Sequence, residues 1–310
     1  MSTLDIILPS FNRAASLRRA VESLFGCRRP AGLQIRIIVV DNNSTDSTRQ
    51  VVAHLAASGM LPVHYLFEAR QGKPIAINAG IAASEGELIA FFDDDERAFP
   101  DWLEVIATAF SDPALGFITG RYVPDWLVPP PAWLPATRMG LVGVVDYGEH
   151  ANDFVSLSDG LVFLGGNAVA RRQAVLATGG YSEWLTYGDD AEFGLKLMRA
   201  GMAGRYVPAL RVHHEIPASR LTRAYLRRRA MMNHAAKVRI RQRWPELDQL
   251  TFGFPVRLAY YRLLALLSAM PALAGRRVDP AERFEAELLF WDLWGMLSGW
   301  FSSSNDRLMR

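Results

Sequence analysis

Short apolar runs alternate with segments of helical periodicity through the first 120 residues. Five runs read as strands that end at turn-forming or acidic residues: residues 5–8, 36–40, 63–67, 88–92 and 116–119. The first helix carries its apolar residues at helical spacing after Asn12, which we expect to cap it. A second helix opens at residues 44–46 and closes at Gly59, and a third covers residues 73–83. This alternation predicts an α/β fold with a mainly parallel sheet and flanking helices.

The pattern changes after residue 120. Five prolines between residues 121 and 156 predict an irregular loop region over the carboxyl ends of the strands. Order returns at residues 161–169, and a helix over residues 191–200 stops at Gly201. Two apolar stretches follow, at residues 252–274 and 288–301. Charges interrupt them before the roughly 20 residues that a bilayer crossing needs, so they predict interfacial helices.

The basic residues are unevenly placed, although the net charge of the 310-residue chain is only +2. Residues 216–244 hold nine Lys and Arg side chains and no acidic one. With the apolar stretches that follow, this segment predicts peripheral contact with an anionic membrane. The alternative is a helical subdomain packed on the rest of the chain. We expect no nucleic-acid binding, because no recognised binding module surrounds these residues. The single cysteine, Cys27, and the lack of a secretory signal favour a cytoplasmic location.

Clustered acidic residues give the clearest chemical signal. Asp93, Asp94, Asp95 and Glu96 follow the apolar strand at residues 88–92. Like charges this close repel one another unless a cation neutralises them, and carboxylates favour hard ions such as Mg²⁺ or Mn²⁺. The cluster therefore predicts a metal and diphosphate site, with a solvated acidic turn as the alternative.

Two other strands end in polar residues. Asp41 closes the strand at residues 36–40, where its carboxylate can accept a hydrogen bond from a nucleotide base; a turn-initiating aspartate explains it equally well. Pro9, Ser10 and Asn12 follow the first strand at the same edge of the sheet.

In their order and spacing these segments resemble glycosyltransferase family 2, whose members have the GT-A fold. The matching segments are ILPSFNR, IIVVDNNSTDST, QGKPIAINAGIAASEGELIAFFDDDE, FLGGNAVARRQAVLATGGY, YGDDAEFGLKLMRAG and VHHEIP. The resemblance covers about residues 4–235. It implies a GT-A domain over residues 1–235, with a nucleotide-binding half at residues 1–120 and an acceptor-binding half at residues 121–235. Residues 236–310 then form a C-terminal helical extension.

The resemblance also implies roles for individual residues. Asp41 would bind the base of the nucleotide, in a pocket lined by Pro9, Ser10 and Asn12, and Lys73 would neutralise phosphate. Asp93 and Asp94 would hold the ribose and the metal shell. Asp95 and His214 would be metal ligands, with Asp93 beside them. Asp190, with Asp189, would be the general base. The participation of an imidazole would favour Mn²⁺ over Mg²⁺.

The expected function is therefore inverting transfer of a sugar from a nucleoside-diphosphate sugar to a glycan or lipid-linked acceptor at the inner face of the membrane. Such an activity would serve cell-surface polysaccharide or glycolipid assembly. The residues Arg241-Gln242-Arg243-Trp244 lack the spacing of the Q-x-x-R-W signature of processive synthases. A nucleotidyltransferase would need a glycine-rich phosphate loop after the first strand, which Pro9-Ser10-Phe11-Asn12 is not. The non-enzymatic alternative is a degenerate, nucleotide-binding subunit of an assembly complex.

Overall fold

The computed structural model describes residues 2–154, 163–244, 263–267 and 279–301. The described residues of Met1–Val123, Asp146–Val155 and Gly160–Glu215 form one compact unit, and those of Pro124–Val145, Ser156–Asp159 and Ile216–Arg310 form a second. The predicted domain boundary at residue 235 lies inside a helix of the second unit.

The strands of the first unit, two of which run a few residues past its limits, are β1 (Ser2–Ser10), β2 (Leu33–Asp41), β3 (Val63–Phe67), β4 (Leu88–Phe92), β5 (Glu96–Ala98), β6 (Leu115–Trp126), β7 (Asn152–Asp153), β8 (Asn167–Arg171) and β9 (Ala203–Ile216). Its helices are α1 (Ala14–Phe25), α2 (Thr48–Ala57), α3 (Lys73–Ala83), α4 (Trp102–Ala109), α5 (Arg172–Ala177) and α6 (Asp189–Arg199). All five predicted strands are present within β1, β2, β3, β4 and β6.

These strands form one mixed sheet in the order β3-β2-β1-β4-β8-β6-β9-β5, with β7 beside β9. Strands β1 to β4 run parallel to one another. Strand β8 lies between β4 and β6 and is antiparallel to both. The parallel part matches the prediction. The run at residues 116–119 does not extend that series directly, because β8, a strand that comes later in the chain, separates it from β4.

Side chains on both faces of the central strands are buried, as expected for a sheet that is covered on both faces. On one face Ile7, Ile38 and Phe91 belong to a core that includes buried residues of α3, α5 and α6. The neighbouring strand residues Ile6 and Leu8 are also fully buried and point to the opposite face. The apolar residues of α1 and α2 are likewise buried.

Three local predictions need correction. Arg13, not Asn12, occupies the N-cap position of α1, because Asn12 adopts a left-handed backbone conformation with φ of 53°. Helix α2 begins at Thr48, after the predicted opening, and Asp46 accepts hydrogen bonds from the backbone N–H groups of Ala14 and Thr48. Strand β6 continues through Pro124 to Trp126, into the segment predicted as loop.

The second unit contains the helices α7 (Arg223–Arg243) and α8 (Pro280–Phe301) and a 3-10 segment at Ala136–Val142. Helices α7 and α8 pack closely, because Gly295 and Gly299 of α8 lie against the backbone of Met231 and Ala235. Helix α7 contains most of the basic run at residues 216–244. The predicted stretch at residues 252–274 lies mostly outside the described residues.

Helix α8 also carries a buried carboxylate. Asp292 is fully buried, and its oxygens lie 2.9 Å from Nη1 of Arg138 and 3.1 Å from Nδ1 of His234. The guanidinium of Arg138 thus offsets part of the loss of its hydration. None of the helices in the described ranges combines the length and apolarity needed to span a bilayer.

Candidate active site

The acidic turn after β4 is held by side chains from the first strand and helix. Ser10, at the end of β1, donates a hydrogen bond of 2.8 Å from Oγ to Oδ2 of Asp94. One nitrogen of Arg13, Nη1, lies 3.0 Å from Oδ1 of Asp94 and 2.9 Å from Oδ2 of Asp95. Strand β4 pairs with β1 in parallel, so the residues that follow both strands meet at the same edge of the sheet.

Burial changes the protonation of this turn. Burial raises the pKa of Asp94 to about 6; the Arg13 charge opposes this shift, and the charge of Asp95 adds to it. Burial, then the charges of Asp93 and Asp95, hold the pKa of Glu96 well above its ordinary value. Glu96 is therefore harder to ionise than an exposed glutamate.

Lys73 supplies the cation for the first of these aspartates. Its Nζ lies 2.8 Å from Oδ2 of Asp93. Burial lowers the pKa of Lys73, but the charges of Asp93, Asp190 and Asp189 outweigh this effect and hold it well above the ordinary value. The loop before Lys73 is fixed by Asn42, whose side chain accepts from the Gly72 N–H at 2.8 Å. The predicted phosphate-binding lysine therefore lies among the predicted catalytic and metal-binding acids.

Asp41 ends β2 as predicted, and two groups already contact its carboxylate. Its Oδ1 accepts from the Ser44 N–H at 2.9 Å, and its Oδ2 accepts from the Tyr65 hydroxyl at 2.7 Å. Each carboxylate oxygen has a second lone pair, so each can accept one more hydrogen bond. The side chain of Asn12 accepts from the Thr45 N–H at 2.7 Å, which joins the loops after β1 and β2. Pro9 precedes them, half-buried, at the end of β1.

The two adjacent histidines of β9 have different surroundings. His213 stacks on Phe99 with ring centroids 4.3 Å apart. His214 is buried, and its Nε2 lies 3.7 Å from Oδ1 of Asp95. Of the two, His214 is therefore the one that lies beside the acidic turn.

A charged pair beside His214 fixes this part of β9. Glu215 is buried, and its carboxylate accepts two hydrogen bonds of 2.7 Å from Arg19 and one of 3.0 Å from Ser16. Its backbone N–H donates to the carbonyl of Asp95 at 2.9 Å. Helix α1 thus contacts both the acidic turn, through Arg13, and the strand that carries His214.

Asp189 and Asp190 begin α6, after Gly188 at the cap position. Asp189 is buried, whereas Asp190 is partly exposed and so more accessible to a ligand. The Asp190 carboxylate lies against Gly165, and the carboxyl groups of Asp93 and Glu96 lie against Gly166; a Cβ atom on either glycine would overlap them. Because successive Cα atoms are about 3.8 Å apart, the predicted base and the acidic turn border the same short backbone segment.

The donor set at Asp95 and His214 fits a divalent cation. Two ligand atoms that each lie about 2.1 Å from one ion are roughly 3 to 4 Å apart, and these two are 3.7 Å apart. Within the described ranges, no three His, Cys, Asp or Glu side chains surround a common centre. Phosphate oxygens or water would have to complete the coordination. Asp93, predicted as a further ligand, has one oxygen in its ion pair with Lys73.

Sequence reasoning missed the residues that hold the acidic turn and its neighbours in place. These are Arg13 on Asp94 and Asp95, Tyr65 on Asp41, Arg19 on Glu215, and Gly165 and Gly166 beneath the carboxylates. A sequence signal existed for the glycines, which form a consecutive pair directly before β8. Nothing in the local pattern distinguishes Arg13 or Arg19 from the other arginines of α1.

The fold is shared with solved glycosyltransferases. A mannosyltransferase from Pyrobaculum calidifontis in complex with GDP-Man and Mn²⁺ matches 96% of this chain and 73% of its own, with a TM-score of 0.56 and 17% identity. TarS residues 1–349 of S. aureus in complex with UDP-GlcNAc match 96% of this chain and 91% of that one, with the same TM-score and identity. The architecture is therefore that of the GT-A glycosyltransferases.

Residues 5–177 match the family described as Glycosyl transferase family 2. The chain belongs to this family. It is 28% identical over 215 residues to the pre-mycofactocin glycosyltransferase of Mycobacterium tuberculosis. The aligned region covers 68% of this chain and 42% of that protein. It is 26% identical over 234 residues to the succinoglycan biosynthesis protein ExoM of Rhizobium meliloti, with 73% and 71% covered. The chain thus spans less than half the length of the first of these relatives.

Proposed function

We propose that the chain is an inverting glycosyltransferase that moves a sugar from a nucleoside-diphosphate sugar to an acceptor hydroxyl. The observation that carries the proposal is the convergence of several side chains near the carboxyl ends of the parallel strands of the sheet: Asp41, Lys73, the aspartates of the acidic turn, Asp190 and His214. In open α/β sheets this edge is where ligands bind. The solved relatives with GDP-Man and with UDP-GlcNAc support a nucleotide-sugar donor.

The donor would bind with its base at Asp41 and its diphosphate near Lys73. The Asp41 carboxylate is buried and held by Tyr65 and Ser44, so it is oriented before a base arrives. Lys73 is kept charged by Asp93, Asp189 and Asp190, so it can hold phosphate oxygens close to the predicted base.

Asp190 would act as the general base. The acceptor oxygen attacks the anomeric carbon, its proton passes to the Asp190 carboxylate, and the bond from that carbon to the diphosphate oxygen breaks on the opposite side. The position of Asp190 in the first turn of α6 favours its carboxylate form and lowers its basicity. A correctly placed carboxylate can still serve, because the attacking hydroxyl becomes acidic as the bond forms.

Asp95 and His214 would hold the divalent cation, Mn²⁺ or Mg²⁺, with Asp93 beside them. When bound, the ion would neutralise the charge that develops on the departing diphosphate. The mixed carboxylate and imidazole set favours Mn²⁺.

The second unit supports contact with an anionic membrane. Phe290, Trp294, Leu297 and Phe301 lie three or four residues apart along α8, so they share one face of the helix, and all are exposed. Helix α7 of the same unit carries much of the basic run. Aromatic side chains and arginines together suit the surface of an anionic leaflet, where a lipid-linked glycan acceptor would lie. Cosedimentation with phosphatidylglycerol vesicles should be lost in the double variant Trp294→Ser, Phe301→Ser. Equal binding by this variant would contradict the contact.

The transfer is tested by incubating the purified protein with nucleotide sugars and Mn²⁺ and measuring released nucleoside diphosphate. Asp190→Asn should lower kcat at least about 100-fold, with nucleotide affinity nearly unchanged. Glu22→Gln, an exposed acid on α1, serves as the matched control. Nucleotide binding without any turnover in the unaltered protein would favour the degenerate subunit instead. Full activity in Asp190→Asn would remove Asp190 from the mechanism.

A further inference from the structure

Arg13 binds two of the three aspartates of the acidic turn at once. Its side chain is 47% exposed, whereas those of Asp94 and Asp95 are 9% and 10% exposed. Both oxygens of Asp94 are engaged, one by Arg13 and the other by Ser10. On Asp95, Arg13 contacts Oδ2 while His214 faces Oδ1. Arg13 and the candidate metal ligand thus share one carboxylate.

The chain in this way supplies a counter-ion to every aspartate of the turn. Lys73 pairs with Asp93, and Arg13 pairs with Asp94 and Asp95. A divalent cation that approaches Asp95 alone meets a positive charge already bound to the same carboxylate. Because the aspartates are largely buried, solvent screens this repulsion poorly.

The side chain of Arg13 can move more easily than the backbone around it. The backbone on either side is fixed, because the Asn12 N–H donates to Ser44 Oγ at 3.0 Å and the Ala14 N–H donates to Asp46 at 2.9 Å. The long, half-exposed side chain can therefore change partner without movement of α1. A diphosphate bound beside the turn would offer its guanidinium another anion.

We propose that Arg13 is a resident counter-ion that makes divalent-cation binding depend on the diphosphate of the donor. Without nucleotide, Arg13 neutralises Asp94 and Asp95 and weakens cation binding. With nucleotide, the negative diphosphate offsets the charge of Arg13, and cation and donor bind together. This inference rests on the proposed cation site at Asp95 and His214.

The test measures Mn²⁺ affinity by electron paramagnetic resonance of the free ion, with and without UDP or GDP. Titrations without protein correct for the Mn²⁺–nucleotide complex in solution. The unaltered protein should bind Mn²⁺ at least about tenfold more tightly with the nucleotide that it accepts. Arg13→Gln should bind Mn²⁺ alone about tenfold more tightly than the unaltered protein, and the nucleotide should tighten Mn²⁺ binding by a smaller factor than it does in the unaltered protein. Arg13→Lys, which keeps the charge, should stay close to the unaltered protein.

Arg18→Gln is the matched control. Arg18 lies on the same helix, forms no ion pair with the described residues, and should leave both affinities unchanged. A purely structural role for Arg13 would lower the Tm of Arg13→Gln without tightening Mn²⁺ binding, and this result would overturn the inference. So would a nucleotide effect below about twofold in the unaltered protein, which needs no variant to fold. Tight Mn²⁺ binding without nucleotide would overturn the inference and leave the cation site standing. No Mn²⁺ binding under any condition would overturn both.

Discussion

Gly165 lies against the carboxylate of Asp190, so closely that a Cβ atom at this position would overlap Oδ1. The contact explains why a glycine is needed at position 165, two residues before β8. Any side chain here would push the candidate base away from the acidic turn.

We therefore expect Gly165→Ala to lower kcat by about 100-fold, while nucleotide affinity changes little because Asp41 is unaffected. The steady-state kinetics of sugar transfer would show this separation. Gly140→Ala is the matched control, since a Cβ atom there meets no other atom within 4 Å. Equal kcat in both variants would contradict a role for this contact.

Asp94 predicts an unusual dependence of stability on pH. Its folded pKa of about 6 lies above the ordinary value of 3.8, so the folded protein binds more protons than the unfolded chain between these values. The contribution of Asp94 to stability therefore falls as the pH rises from about 4 to 6. Asn at position 94 cannot ionise. Between about pH 4 and 6, the free energy of unfolding of Asp94→Asn should therefore rise by about 2 to 3 kcal/mol relative to that of the unaltered protein. Urea unfolding at several pH values measures the difference.

Asp46→Asn provides the control of opposite sign. Burial raises the pKa of Asp46, but hydrogen bonds from Thr48 and Ala14 outweigh it and lower the pKa below the ordinary value. Its contribution to stability is lost as the pH falls through the folded pKa, so Asp46→Asn should be the less stable protein at neutral pH. A parallel response of the two variants would contradict the assigned shifts.

Tyr65→Phe removes a hydrogen bond to Asp41 and little else. The variant should bind nucleoside diphosphate about three- to tenfold more weakly, because the carboxylate loses the group that orients it. Isothermal titration calorimetry checks the affinity, and Tyr225→Phe in the second unit serves as the control. An unchanged Kd would show that Tyr65 does not orient the carboxylate that we propose to bind the base.

Arg138→Gln should destabilise the second unit by about 3 kcal/mol, because it removes a cation from the fully buried Asp292. Arg28→Gln breaks an ion pair with Glu104 in which both side chains are exposed, and should scarcely alter the Tm. Thermal unfolding of the two variants compares them directly. If Arg138→Gln changed the Tm as little as Arg28→Gln, the contact with His234 would be sufficient to stabilise the buried Asp292 carboxylate.

Cys27 should not react with a disulfide reagent at pH 8 while the protein is folded. Burial, reinforced by the charge of Asp101, raises the pKa of its thiol to about 12, so little thiolate forms. Ala53→Cys adds a thiol at an exposed position of α2 and should react within minutes. Rapid labelling of Cys27 in the native protein would contradict its burial.

Local sequence patterns identified the strands and helices well wherever one chain segment determines its own structure. Helix α3 has the predicted limits, Lys73–Ala83, because its apolar residues, the preceding glycine and the first-turn proline all agree. Strand β6 was predicted too short, because its pairing in the middle of the sheet outweighs the local effect of Pro124.

The chemistry of the site could be predicted only in part, for a related reason. The location of the acidic residues could be predicted from the sequence because they follow apolar strands. The carboxyl ends of parallel strands meet at one edge of the sheet. The groups that hold them come from far along the chain: Arg13 is 82 residues from Asp95, and Arg19 is 196 residues from Glu215. Which arginine reaches which carboxylate depends on tertiary packing, which no short pattern encodes.

Strand β5 follows the acidic turn directly, and among the described strands its only neighbour is β9. During synthesis on a ribosome, the turn is therefore complete more than 100 residues before the strand that secures it has emerged. We expect nascent chains that end before residue 214 to contain these aspartates without the imidazole of His214, so that the proposed cation site is completed late in translation.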